Sequence, residues 1–143
     1  MDLPFKRLDP TVPLPSYAHP GDAALDLASN ADLELGPGKR ALIPTGLAVA
    51  IPNGWAGLVL PRSGLASREG LTLSNSPGLI DSGFRGELTC AVVNLDRERP
   101  VRISRGQRIA QLVVVPVAAV EPFWVEELPE SERGQGGFGS TDA

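Results

Sequence analysis

Leu47-Ala48-Val49-Ala50-Ile51, then Pro52-Asn53-Gly54, then Trp55-Ala56-Gly57-Leu58-Val59-Leu60 ending at Pro61, reads as strand, turn and strand. Val, Ile and their like suit a pleated, half-buried surface, while Pro-Asn-Gly cannot continue one. The same pattern recurs downstream. Leu88-Thr89-Cys90-Ala91-Val92-Val93-Asn94-Leu95 breaks at Asp96, and Ile109-Ala110-Gln111-Leu112-Val113-Val114-Val115 stops before Pro116. The chain's 16 glycines and 14 prolines supply the turns. No stretch sustains helical periodicity for the roughly 10 to 12 residues of an ordinary helix. The exception is 63–69, where Ser63 is placed to cap about two turns before Gly70 ends them. The pattern predicts an all-β chain, a barrel or jelly-roll sandwich with one short helix.

At 143 residues the chain fits one domain with a real core. The formal net charge of −4 argues against a polymeric nucleic acid partner, yet leaves room for a small phosphorylated ligand held by local arginines. No apolar run approaches the ~20 residues that cross a bilayer, and Met1-Asp2-Leu3-Pro4 does not read as a signal peptide. The expected location is the cytoplasm, with no membrane contact. Cys90 is the only cysteine and sits in an apolar alternating run, so it is expected to be a buried small side chain. His19, the only histidine, lies in a proline-flanked loop and lacks partners for a histidine zinc site.

Several segments carry polar chemistry. In Pro61-Arg62-Ser63-Gly64-Leu65-Ala66 a guanidinium and a hydroxyl stand where a strand gives way to the short helix, a setting that suits an anion. In 75–87, Asn75-Ser76-Pro77-Gly78-Leu79-Ile80-Asp81-Ser82-Gly83-Phe84-Arg85-Gly86-Glu87, apolar residues flank a turn. This predicts a β-hairpin with Asp81 near its bend, where a fixed carboxylate can orient and deprotonate a water, or simply shape the turn. Asp26 alternates with apolar neighbours, so it faces solvent or a polar site. Gln111 interrupts an apolar strand, either to bind a ligand or to face solvent on an edge.

The C-terminal stretch Arg133-Gly134-Gln135-Gly136-Gly137-Phe138-Gly139-Ser140-Thr141 sets a cation, an aromatic ring and two hydroxyls among glycines. Glycines let backbone N–H groups crowd an anion, and an aromatic face can cover a nucleobase. The segment reads as a frayed tail or as a lid that orders over a nucleotide. The acidic, proline-broken run 126–132 separates it from the body, giving a β-barrel domain over 1–125 and a linker with a glycine-rich lid over 126–143.

Taken in order, these segments resemble the homotrimeric dUTPase family across almost the whole chain. Its five motifs match near Asp22, at 61–66, at 78–81 with 85–87, at 105–111 and in the tail. The resemblance implies a distorted jelly-roll β-barrel with a flexible C-terminal arm. It implies hydrolysis of dUTP to dUMP and pyrophosphate by water attack at the α-phosphorus, which limits uracil in DNA and supplies dUMP for dTMP synthesis. Asp81 would activate the water. Asn75 with Gly78, Leu79 and Ile80 would read the uracil edge, and Phe84 would pack on the deoxyribose. Arg62, Ser63, Gly64 and Gln111 would hold the phosphates, from a neighbouring subunit. Arg133 would clasp the γ-phosphate while Phe138, followed by Gly139, Ser140 and Thr141, covers the base, from a third chain. Magnesium (Mg2+) would ride on the triphosphate, with Asp26 acting on it through water.

Two positions depart from the family pattern: Ala24 stands where glycine is usual, and Phe84 where tyrosine is most often found. Phe84 keeps the ring that excludes a ribose hydroxyl, so discrimination against UTP is expected to survive. Two other readings compete: a related dCTP deaminase on the same fold, and a non-catalytic nucleotide-binding protein. The intact 61–66 segment and the tail favour hydrolysis over the first, and Asp81 favours it over the second.

Overall fold

A computed structural model describes residues 1–141. The last two residues of the expected 126–143 segment lie outside the described residues. Four long strands carry the architecture, and three of them lie almost where the sequence places them: β5 (Trp55–Pro61), β8 (Glu87–Asn94) and β10 (Arg108–Pro116). The fourth, β4 (Arg40–Val49), begins well before the expected Leu47. Pro44 and Gly46 hid its first half, because both normally end a strand. Here a register shift between Pro44 and Ala48 against β8 absorbs them. Gly46 takes a positive φ of 72° at this irregularity, and its N–H donates to Glu87 Oε1 at 2.8 Å.

Short strands complete the sheets: β1 (Phe5–Arg7), β2 (Leu25–Ala28), β3 (Leu33–Leu35), β6 (Leu71–Leu73), β7 (Gly78–Ile80) and β9 (Val101–Ile103). One four-stranded sheet runs β1-β4-β8-β6, the other β2-β10-β5-β7, and β3 pairs with β9. Every pairing is antiparallel. The sheets do not close into a continuous barrel, and the fold is jelly-roll-like. One core draws on all three sheets, with Leu27, Val59 and Leu112 meeting Val49, Leu88, Cys90, Val92, Leu35 and Ile103. In β8 the burial alternates strictly: Leu88, Cys90, Val92 and Asn94 point inward. Asn94 is satisfied in the core, its amide donating to the carbonyls of Leu35 and Arg99. Cys90 is buried as expected, and burial pushes its thiol pKa up to about 12.

The helix α1 (Ser63–Glu69) has the expected bounds, but its cap differs from expectation. Arg62 occupies the capping position with extended backbone, leaving Ser63 as the first helical residue with no side-chain cap. At the other end Gly70 takes φ 71° as the left-handed stop. The expected hairpin around Asp81 is also corrected. β7 pairs with β5 while β8 pairs with β4 and β6, so 81–86 crosses from one sheet to the other. Local sequence shows a turn between two apolar runs, but which sheet each run joins depends on partners far along the chain. Among the described residues no helix is long and apolar enough to cross a membrane.

Candidate active site

Gln111 sits in the middle of β10, which lies inside its sheet between β2 and β5, so the edge position considered for it is excluded. Its register partners are Asp26 on β2 and Leu60 on β5. The Gln111 amide donates to the Pro61 carbonyl at 3.0 Å, fixing the point where β5 turns into α1. This register brings distant sequence segments to one place. Asp26, Arg62, Ser63, Gly64 and Gln111 all line a single cleft of about 610 Å³, joined there by His19, Asp22 and Arg68.

Of the two settings open to Asp26, the structure shows the polar one. Its side chain is only 14% exposed, with Arg62 Nε 3.2 Å from Oδ1 and Arg108 Nη1 3.1 Å from Oδ2. The carboxylate accepts a charge-assisted hydrogen bond from Arg108 and forms an ion pair with Arg62, holding both guanidiniums. Arg108 and Arg68 are the cations that sequence reading left unassigned. Arg108 lies three residues before Gln111 on the same strand. Arg68 lies four after Gly64, the spacing that stacks neighbours along a helix face.

This donor set holds no all-protein cage for a divalent ion, which suits an ion held mainly by substrate phosphates and water. Both Asp26 oxygens are engaged by arginine, and the described residues hold no cluster of three or more His, Cys, Asp or Glu side chains placed for a metal.

The other half of the expected site lies elsewhere. β7 flanks β5 on the side away from β10, so the sheet separates Asp81 and its neighbours from β2. None of Asn75, Gly78, Leu79, Ile80, Asp81 or Phe84 lines the arginine cleft. Asp81 follows β7 immediately and is exposed. Its carbonyl accepts the Phe84 N–H at 3.1 Å, and Arg85 ties the turn by donating to the carbonyls of Ser82 and Phe84. The Phe84 ring rests on Gly86, where an added Cβ would fall 2.7 Å from Cζ. Asn75 lies against Gly78, its Nδ2 3.3 Å from where a Cβ would stand. Because β7 ends its sheet, its outer backbone groups have no strand partner among the described residues.

The C-terminal segment touches neither place. Among the described residues no strand or helix follows β10, and from Pro116 to Thr141 only Gly136 and Gly137 are less than exposed. Arg133 donates from Nε to its own Gly136 carbonyl at 2.8 Å, and Phe138 stands fully exposed with φ 50° beside Gly139 at 79°.

Fold and cleft together define a class: a jelly-roll-like β protein with a cleft where arginines and aspartates meet. The dUTPase family model matches residues 11–142, and the chain belongs to the dUTPase family. It is 54% identical over 144 residues to the deoxyuridine 5'-triphosphate nucleotidohydrolase of Mycobacterium tuberculosis (strain ATCC 25177 / H37Ra), covering 97% of this chain and 94% of that one. Against the same enzyme of Streptomyces coelicolor identity is 55% over 141 residues, covering 99% and 77%. Among solved structures, Staphylococcus bacteriophage 80alpha dUTPase with dUPNHPP superposes with a TM-score of 0.91 at 33% identity, covering 99% of both chains.

Proposed function

We propose that this chain hydrolyses dUTP to dUMP and pyrophosphate in the cytoplasm, as a homotrimer whose active sites are shared between subunits. One observation carries the shared site. The phosphate-type residues Arg62, Ser63, Gly64 and Gln111 gather in one cleft, while Asp81 with its turn lies outside that cleft. A site holding both needs the β7 edge of one subunit to face the cleft of another.

In this reading the unpaired backbone edge of β7, at Gly78, Leu79 and Ile80, reads the uracil together with Asn75. Gly78, lacking a side chain, lets Asn75 lie close against its backbone. The uracil edge differs from cytosine in its donors and acceptors, so the wrong base leaves buried groups unpaired. Phe84, held on Gly86, packs on the sugar. Asp81, exposed at the end of β7, takes a proton from the attacking water. Arg62, Ser63, Gly64 and Gln111 cradle the phosphates, with Asp26 holding Arg62 in place. Phosphoryl chemistry depends mainly on placement and on neutralising charge, which such groups provide.

The substrate is magnesium–dUTP, the ion carried on the phosphate oxygens, with Asp26 contacting it only through water. The segment 126–143 acts as the lid: Arg133 exchanges its own Gly136 carbonyl for the γ-phosphate, and Phe138 covers the base. Gly139, Ser140 and Thr141 contribute backbone and hydroxyl donors. Closure excludes water other than the nucleophile.

The test is pyrophosphate release from dUTP, dCTP, dTTP and UTP with magnesium, for the intact chain and Asp81→Asn. Selective release from dUTP that collapses in the variant is expected. Binding of dUTP without cleavage would favour a non-catalytic nucleotide binder, and ammonia release from dCTP would favour the deaminase.

A further inference from the structure

We propose that Arg68 is a further substrate-binding residue, supplying the uncommitted positive charge of the phosphate cleft. The proposal deepens the dUTPase reading and rests on it. A helical side chain leans toward the helix N-terminus, over the residue four positions earlier. Arg68, in the last turn of α1, therefore lies over Gly64. A Cβ on Gly64 would stand 2.9 Å from Nη2 and 3.1 Å from Nη1 of Arg68. The glycine lets the guanidinium come down onto the backbone beside Ser63, within the cleft that also holds Arg62, Asp26 and Gln111.

The second observation is electrostatic. Arg62 and Arg108 both pair with Asp26, at 3.2 and 3.1 Å. Arg68 has no ion-pair partner among the described residues. It also borders a neighbouring cavity lined by Glu69, Asp96 and Arg99, but there Asp96 is already paired with Arg99 at 3.1 Å. Within the phosphate cleft the cations Arg62 and Arg68 face the carboxylates of Asp22 and Asp26. Arg108 pairs with Asp26 from outside that lining, so Arg62, Arg108, Asp22 and Asp26 cancel and Arg68 supplies the net positive charge, which attracts an anion in proportion to the anion's own charge. A triphosphate depends on Arg68 more than a monophosphate does. A purely structural arginine would affect both alike.

The experiment is calorimetric binding of dUMP, dUDP and the imido analogue dUpNHpp to the full-length wild type, Arg68→Gln and Arg68→Lys. In Arg68→Gln, dUpNHpp is expected to bind about tenfold more weakly, dUDP about threefold and dUMP less than about twofold. Arg68→Lys, which keeps the charge, is expected to stay within about threefold of wild type for dUpNHpp. Equal losses for all three ligands, no loss at all, or a lysine variant as weak as the glutamine one would overturn the proposal. A wild type that neither binds dUpNHpp nor splits dUTP would sink the dUTPase reading and this proposal with it. A wild type that does both, matched by Arg68→Gln, would overturn the proposal alone.

Discussion

The arginine cleft and the C-terminal segment are both assigned to phosphate in the proposed function, yet they are organised in opposite ways. In the cleft, Gln111 is held by sheet register, and Arg62 is fixed by Asp26, a carboxylate 14% exposed. Little side-chain entropy remains to be lost when an anion arrives. Among its described residues the C-terminal segment has no strand or helix after Pro116, and Trp124, Phe123 and Phe138 stand at 100%, 82% and 113% exposure. Its apolar side chains find no surface on their own chain. Preorganised groups give affinity and placement from the outset. A segment that orders only over its ligand gives closure, so that its charge arrives when the substrate does. The turn after β7 is intermediate: Arg85 ties its backbone, while Asp81 itself is exposed.

The most severe break in this division of labour is expected from Asp81→Asn. Pyrophosphate release should fall about 10²- to 10⁴-fold while dUpNHpp binding stays close to wild type, since the amide keeps the shape but cannot take the proton. Removing residues 133–143 should come next, lowering kcat/KM about 100-fold. The unfolding temperature should hardly change, because 133–141 adds nothing to the core.

The sharing of sites can be tested by mixing. Asp81→Asn and Arg62→Gln chains, each nearly inactive, should recover about one quarter of wild-type activity after equal subunits reassort. No recovery would mean that each site is built within one chain.

Asp26→Ala is expected to raise KM for dUTP about tenfold with a smaller change in kcat, because it frees Arg62 and Arg108 without touching the water-activating carboxylate.

The smallest effect concerns acid stability away from the site. The backbone N–H and hydroxyl of Thr11, then Asn30 and Arg105, hold the Asp9 carboxyl well below the usual range. The backbone N–H groups of Glu98 and Arg99, then the Arg99 side chain, bring Asp96 down to about 2. A depressed carboxylate stabilises the fold above its unfolded pKa, and that contribution is lost as pH falls through the folded value. The unfolding temperature should therefore decline from about pH 4 downward toward pH 2, and less steeply in Asp9→Asn. Both carboxylates are solvent-accessible, so the slope should be shallow and should flatten further at high salt.

How much of this was legible in the sequence varied with the range of the interaction involved. β5, β8 and β10 were readable because alternation and terminating Pro or Asp are local signals. β4 was half readable, since Pro44 and Gly46 look like breakers until β4 is known to bulge there against β8. The short strands β3, β6 and β9, three residues each, are too brief for any period to emerge. Among site residues, Arg62, Ser63, Gly64 and Asp81 were visible as motif members, while Arg108 and Arg68 were not singled out. Their importance lies in what they face: Asp26 is 82 positions from Arg108, and Gly64 sits one turn before Arg68.

The sequence by itself determined the all-β class, the short helix between Pro61 and Gly70, and the residue types that phosphate and uracil chemistry need. Those follow from backbone stereochemistry and side-chain functional groups, which every residue carries with it. Tertiary structure decided that β7 and β8 join different sheets, that Asp26 is clasped by two arginines, and that the carboxylate turn and the cleft fall on different parts of one chain. Strand partnership and ion pairing depend on which distant segments meet, and only the packed core fixes that.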